Sequence, residues 1–250
     1  MNELLQHTLA PLRNPRLWAV HIPANALLLT AALFWTRIPD EKLWQLAATT
    51  LSALLILLLF LWLHSATLRI SAGVAQTVRP RTLAMIWLLL GLAAITAVIL
   101  EFGTLRENYE ATVSGYLFFR LPHFIQNHCD ASTIDTWLQR LDDLLQLFVL
   151  PALLLPSLAA GVVGGRTARA LKSLISWRYW LMIAIAGIVG IWLPRLILLH
   201  WVPGKHLCAM TVSLVLRLTL AYLLTLMAWL AATGVLGYFT AGSASPETRP

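Results

Sequence analysis

Six apolar stretches, at residues 17–35, 43–64, 83–102, 144–163, 180–201 and 210–238, decide what this chain can fold into. About 20 residues at 1.5 Å each let a helix cross the roughly 30 Å of bilayer hydrocarbon. Inside hydrocarbon each backbone N–H and C=O must find its partner within the fold, so an uninterrupted run of this length is helical. The expected fold class is all-α: one polytopic membrane domain of six helices. Too little chain is left over for a separate soluble catalytic domain. Only 12% of the 250 residues are charged, against about a quarter in soluble domains.

The formal net charge of +7 is spread over short loops, which points to orientation in a membrane and away from nucleic acid. Arg13 and Arg16 precede the first span. Arg69, Arg79 and Arg81 follow the second, and Arg166, Arg169, Lys172 and Arg178 follow the fourth. These segments share one side if six helices alternate, and so does Arg249 in the tail. The opposite side carries Asp40, Glu41, Glu107, Glu110, Asp130, Asp135, Asp142 and Asp143, with Glu101 at its membrane edge. Lys and Arg collect on the cytoplasmic side, so both termini are expected there. Tryptophans near the span ends, among them Trp18, Trp35, Trp44, Trp180 and Trp201, suit the headgroup level. The first span has no cleavage-site pattern and reads as retained. The localisation that follows is a bacterial inner membrane.

Three segments outside the spans are amphipathic. Leu4 to Leu12 fits the inner membrane face. Residues 167–177 place Leu171, Leu174 and Ile175 to one side of a basic set, the pattern of an in-plane helix. Ser132-Thr133-Ile134-Asp135 opens a helical run that feeds the fourth span. The long outer loop, 103–143, contains the apolar stretch Tyr116-Leu117-Phe118-Phe119, expected to lie at the outer interface or to cap the helices. Pro23, Pro151, Pro156 and Pro194 predict kinks within spans. Gly161, Gly164 and Gly165 fit close packing or a helix end.

Two arginines interrupt apolar spans. Arg195 and Arg217 sit roughly 9–11 Å below the outer boundary at 1.5 Å per residue. A charge at such depth is costly and turns to protein, water or a headgroup. One reading is snorkelling or a structural ion pair. The other is an anion or lipid-phosphate site formed by Arg195 and Arg217, with Glu101 as partner. Cys129 and Cys208 both fall outside and could form a disulfide in an oxidising compartment. His123, His128, His200 and His206 share that side, and imidazole with thiolate could ligate zinc or copper, although no standard spacing is present. His21 and His64 lie near the inner ends of neighbouring spans and could face one another; a haem between them is the less favoured reading, and polar anchoring the plainer one. No cofactor or metal is expected. The chain has no phosphate-binding glycine loop, zinc-protease motif or nucleophile elbow.

The connector Arg169-Ala170-Leu171-Lys172, leading through Trp177-Arg178-Tyr179-Trp180 into the fifth span, and Leu193-Pro194-Arg195 within it, resemble six-span bacterial membrane proteins related to the membrane domain of glycerophosphodiester phosphodiesterases. The resemblance covers about the last third of the chain and implies an inner-membrane location, but no reaction. Three functions stay open. The first is a non-enzymatic subunit, scaffold or assembly factor whose partners are the bilayer and other membrane subunits. The second is a transporter or lipid-handling protein using Arg195 and Arg217. The third is a redox or metal-dependent subunit using the outer histidines and cysteines.

Overall fold

Asn14-Pro15 splits the first helical stretch in two. Proline has no N–H to leave unpaired in a first turn, and the Asn14 side chain accepts a hydrogen bond from the Arg16 N–H (3.1 Å), capping the helix that follows. A short α1 (Asn2–Arg13) therefore precedes α2 (Pro15–Trp35). Next come α3 (Leu43–Ser71), α4 (Thr82–Arg120), the single turn α5 (His123–Gln126) and α6 (Ala131–Leu144). After a π-turn come α7 (Leu150–Val163), a short α8 (Thr167–Ala170) and a 3₁₀ turn (Leu171–Ile175). The rest is α9 (Trp177–Gly187), a second π-turn, α10 (Leu193–His200) and α11 (Leu207–Ala241). This computed structural model describes residues 2–39, 41–76, 79, 81–126, 130–165, 167–200 and 207–241. Its described residues are helix and connection, with no strand. Six helical stretches are long and apolar enough to cross a membrane: Pro15–Trp35, Leu43–Ser71, Thr82–Arg106, Ser132–Val163, Trp177–His200 and Met210–Thr240. The all-α, six-span architecture read from the sequence is the one the chain adopts.

The prolines are accommodated in two ways. Pro23 and Pro156 lie inside unbroken helices. Ahead of Pro151 and Pro194 the helix instead widens into a π-turn, over Leu145–Val149 and Ile188–Trp192. The extra residue per turn relieves the clash between the ring and the preceding carbonyls. Pro194 cannot supply an N–H to the Gly190 carbonyl, and the Thr225 hydroxyl of α11 does so from across the helix interface (3.0 Å). Gly164 closes α7 with a left-handed φ of +83°, and Gly165 N–H reaches back to the Ala160 carbonyl (2.8 Å). Gly161 serves packing: a Cβ there would meet the Trp87 ring at 3.0 Å.

Two compact units are present, Met1–Leu89 with Pro156–Pro250, and Leu90–Leu155. In the first, α1 packs on the end of α11 and meets α2 and α3, and the beginning of α9 meets the end of α11 through Tyr179 and Phe239. Leu17, Leu226 and Leu230 form a buried cluster there, with Leu12, Trp18, Ile70 and Tyr222 against it. Helix α1 turns Leu4, Thr8 and Pro11, one helical face, inward, and leaves Leu5 and Leu9 exposed. Its partner is the last third of α11, where a Cβ on Gly234 would stand 2.6 Å from the His7 carbonyl oxygen. Gly237 lets α11 reach the end of α3 in the same way, its missing Cβ 2.5 Å from the Ser71 carbonyl oxygen. The Ser71 and Thr233 hydroxyls bond beside it (3.0 Å). Two indoles repeat one device: Trp18 Nε1–H donates to the Leu12 carbonyl and Trp180 Nε1–H to that of Leu174, each at 2.8 Å. Each ties a span to the connector six residues before it.

In the second unit α4 does not stop where its apolar run stops. It continues unbroken to Arg120, so the stretch read from the sequence as an outer loop, 103–143, is mostly helix. The returning arm, α6 with its π-turn, is also continuous. Arg106 joins the arms by ion pairs to Asp142 (3.7 Å) and Asp143 (3.6 Å). Gly103 lies close by against the Gln146 amide, 3.3 Å from a Cβ built on the glycine.

Candidate functional site

A polar belt crosses the first unit just above its apolar cluster. His21, on α2, is fully buried, although an imidazole is an expensive group to bring into a membrane helix. Its Nε2 lies 2.7 Å from Thr67 Oγ1 on α3, and that hydroxyl is also 2.8 Å from the Leu63 carbonyl oxygen. A hydroxyl has a single proton. Donated to Leu63, it leaves Thr67 to accept from His21 Nε2–H, and His21 Nδ1 is then a bare acceptor. His64, one turn before Thr67, stands with its ring centroid 5.8 Å from that of His21, 4.2 Å from Phe60 and 5.1 Å from Trp229 of α11. His21 Nδ1, His64 Nδ1 and Trp229 Nε1 are buried and have no hydrogen-bond partner. One turn further along, Asn25 Nδ2–H donates to Tyr222 Oη (3.2 Å), and the Tyr222 hydroxyl reaches the His21 carbonyl (3.5 Å). Three helices are thus tied by polar contacts at one depth. Interhelical bonds of this kind contribute roughly 0.6–2 kcal/mol each.

His21 and His64 face one another as their positions on neighbouring spans suggest, while the other residues singled out in the sequence fall elsewhere. Arg217 is half-buried on α11, and its guanidinium donates from Nε to the Ser213 carbonyl and from one terminal nitrogen to the Leu198 carbonyl of α10, both at 3.3 Å. It clasps the last two spans together. Arg195 is exposed on α10. Glu101 belongs to the second unit, exposed on α4. His123 is exposed at the start of α5, and His200 is exposed at the end of α10. His128, His206 and Cys129 lie outside the described residues, as does the Cys208 side chain. No group of three or more metal-ligating side chains occurs among the described residues.

The second unit offers the other candidate, a surface. Arg106, Asp142 and Asp143 cannot sit in hydrocarbon cheaply, so the polar boundary of a bilayer is expected near their ion pairs. Beyond that level, Tyr109, Val113 and Tyr116 follow one another at helical spacing on α4, and all are exposed. Phe119 is 80% exposed at the far end of α4, Phe124 stands on α5, and α6 exposes Trp137. Thirteen residues separate Arg106 from Phe119, about 20 Å along a straight helix. Because α4 is unbroken, these residues continue the axis of the helix whose Thr82–Arg106 part is long and apolar enough to cross a membrane. The sequence hid this, for the motif Glu107-Asn108-Tyr109-Glu110 reads as loop. Its signal was the good helix formers on either side and the recurrence of large apolar residues at three and four.

No family model, no curated protein and no solved structure matches the chain.

Proposed function

We propose that this multi-pass membrane protein is a non-enzymatic subunit or assembly factor of an inner-membrane complex, and that the hairpin of α4 and α6 is its contact surface. The observation that carries the reading is the set of large side chains beyond the Arg106 ion pairs. Tyr109, Tyr116, Phe119 and Trp137 are 59–80% exposed, and each aromatic can bury roughly 150–250 Å². An apolar surface of this size marks an interaction site, and a projecting helix takes it out of reach of the acyl chains. Protein is the neighbour left to cover it. The polar belt around His21 and the Arg217 clasp act as interhelical ties in the same reading. The distribution of Lys and Arg supports cytoplasmic termini and a hairpin on the opposite face.

The test is a photocrosslinking amino acid placed at Tyr116 or Phe119 in cells. The expected product is a discrete adduct with another membrane or periplasmic protein, lost when Tyr109 or Trp137 is replaced by Glu while yield and monodispersity hold. Crosslinks to lipid alone would overturn the reading.

A further inference from the structure

Above the polar belt α2 and α3 separate, leaving an open apolar groove of about 670 Å³. Leu27, Ala31 and Phe34 line it from α2, and Ala48, Ser52 and Leu59 from α3. Trp35, Arg37 and Trp44 stand at its mouth. Trp35 bridges the two helices there, its Nε1–H donating to the Thr49 carbonyl (3.0 Å). The groove is one leaflet deep. Helix α2 is 21 residues long, about the 30 Å of the hydrocarbon core, and the ten residues from Leu27 to Arg37 cover about half of it. Its inner end is at Leu27 and Leu59, and its mouth, with Trp35, Arg37 and Trp44, suits the headgroup level.

Arg37 is exposed at that mouth and pairs with no described acid, Glu41 included. A guanidinium at the mouth of a groove that two indoles also line suits a phosphodiester, whose two free oxygens accept its paired N–H donors. The lining itself is almost wholly apolar. A transmembrane helix is a poor occupant, because it would run on past mid-bilayer where the groove ends. A hydrocarbon chain is slim enough and ends there.

We propose that this groove is a binding site for one glycerophospholipid of the leaflet opposite the termini, with an acyl chain lying between α2 and α3 and the phosphate on Arg37. The site is distinct from Arg195 and Arg217 and does not depend on the hairpin surface. The full-length protein, reconstituted into phosphatidylethanolamine–phosphatidylglycerol vesicles, is to be photolabelled with a phosphatidylglycerol carrying a diazirine at the chain terminus. Adducts should concentrate on residues 27–31 and 52–59 and be competed by the unlabelled lipid. Ala48→Trp fills the groove and should remove them. Arg37→Gln, at the membrane edge where folding is least at risk, should lower labelling about fivefold, with Arg37→Lys restoring part of it. Labelling spread evenly over all spans, or unchanged by Arg37→Gln and Ala48→Trp, overturns the proposal. So does disulfide-linked dimer from Ser52→Cys in the same vesicles, with Cys129 and Cys208 replaced by Ser, which would seat a second copy in the groove.

Discussion

The two ends of the α2–α3 pair are built on opposite terms. Toward the termini, Leu17, His21, Leu63, Ala66, Thr67 and Leu68 are buried against each other and against α11. Toward the other face Leu29, Leu33, Phe34, Leu43, Trp44 and Leu51 are all exposed. Both ends are apolar in sequence, so hydrophobicity does not separate them. Lipid is as good a neighbour for leucine as another leucine, and helices stay together in it through close backbone approach and polar contacts. The closed end has both: Gly234 and Gly237 on α11, with His21–Thr67 and Ser71–Thr233 as hydrogen-bonded pairs. At the open end the Trp35 indole, donating to the Thr49 carbonyl, is the one side-chain bond described between α2 and α3. Four of the six spans bury only 11% of their most apolar window, which leaves most of their sides to lipid or to a partner.

Substitutions at the two ends sharpen this contrast. Gly237→Leu drives a side chain into the Ser71 backbone, which cannot swing aside. It should cost about 3 kcal/mol or more and reduce folded yield, read by size-exclusion profile and thermal unfolding in mild detergent. Thr67→Val keeps the shape of the side chain but leaves the His21 ring without its partner. A loss of about 1–2 kcal/mol is expected in denaturant titration; no change would mean that the belt is not holding the helices. Leu29→Ala, at the open end, should shift stability by under about 0.5 kcal/mol. A loss as large as that of Thr67→Val would show that the open end is packed in solution.

The spans were legible because length and apolarity suffice to identify a membrane helix. Where those helices touch was not. His21 and His64 could be set near one another from their positions on adjacent antiparallel spans, but Thr67, the partner His21 actually uses, depends on how the helices rotate about their axes. Every face of α3 is apolar, so the sequence carries no phase to read. Gly234 and Gly237 are lost for the same reason in the apolar run of α11. Pro194 announced an interruption, while its form, a π-turn with the Thr225 hydroxyl on the Gly190 carbonyl, rests on a contact between residues 35 apart in the chain. Arg217 reads in the sequence either as a snorkelling or ion-paired charge or as half of an anion site, and its described partners are backbone carbonyls, which no side-chain pattern reveals. The extension of α4 misled most, because polar residues in a helix outside the membrane look like a loop.

We propose a six-fold crossing with the termini on one face of the membrane and the segment 103–143 reachable from the other, as the distribution of Lys and Arg predicts. Membrane-impermeant maleimide labelling in intact cells tests it most directly, with Cys129 and Cys208 replaced by Ser and single cysteines introduced as Phe119→Cys and Glu3→Cys. The account predicts rapid labelling of Phe119→Cys from outside and labelling of Glu3→Cys only after the membrane is broken. Labelling of both from one side, or reaction of Phe119→Cys only once detergent has stripped the lipid, would contradict it.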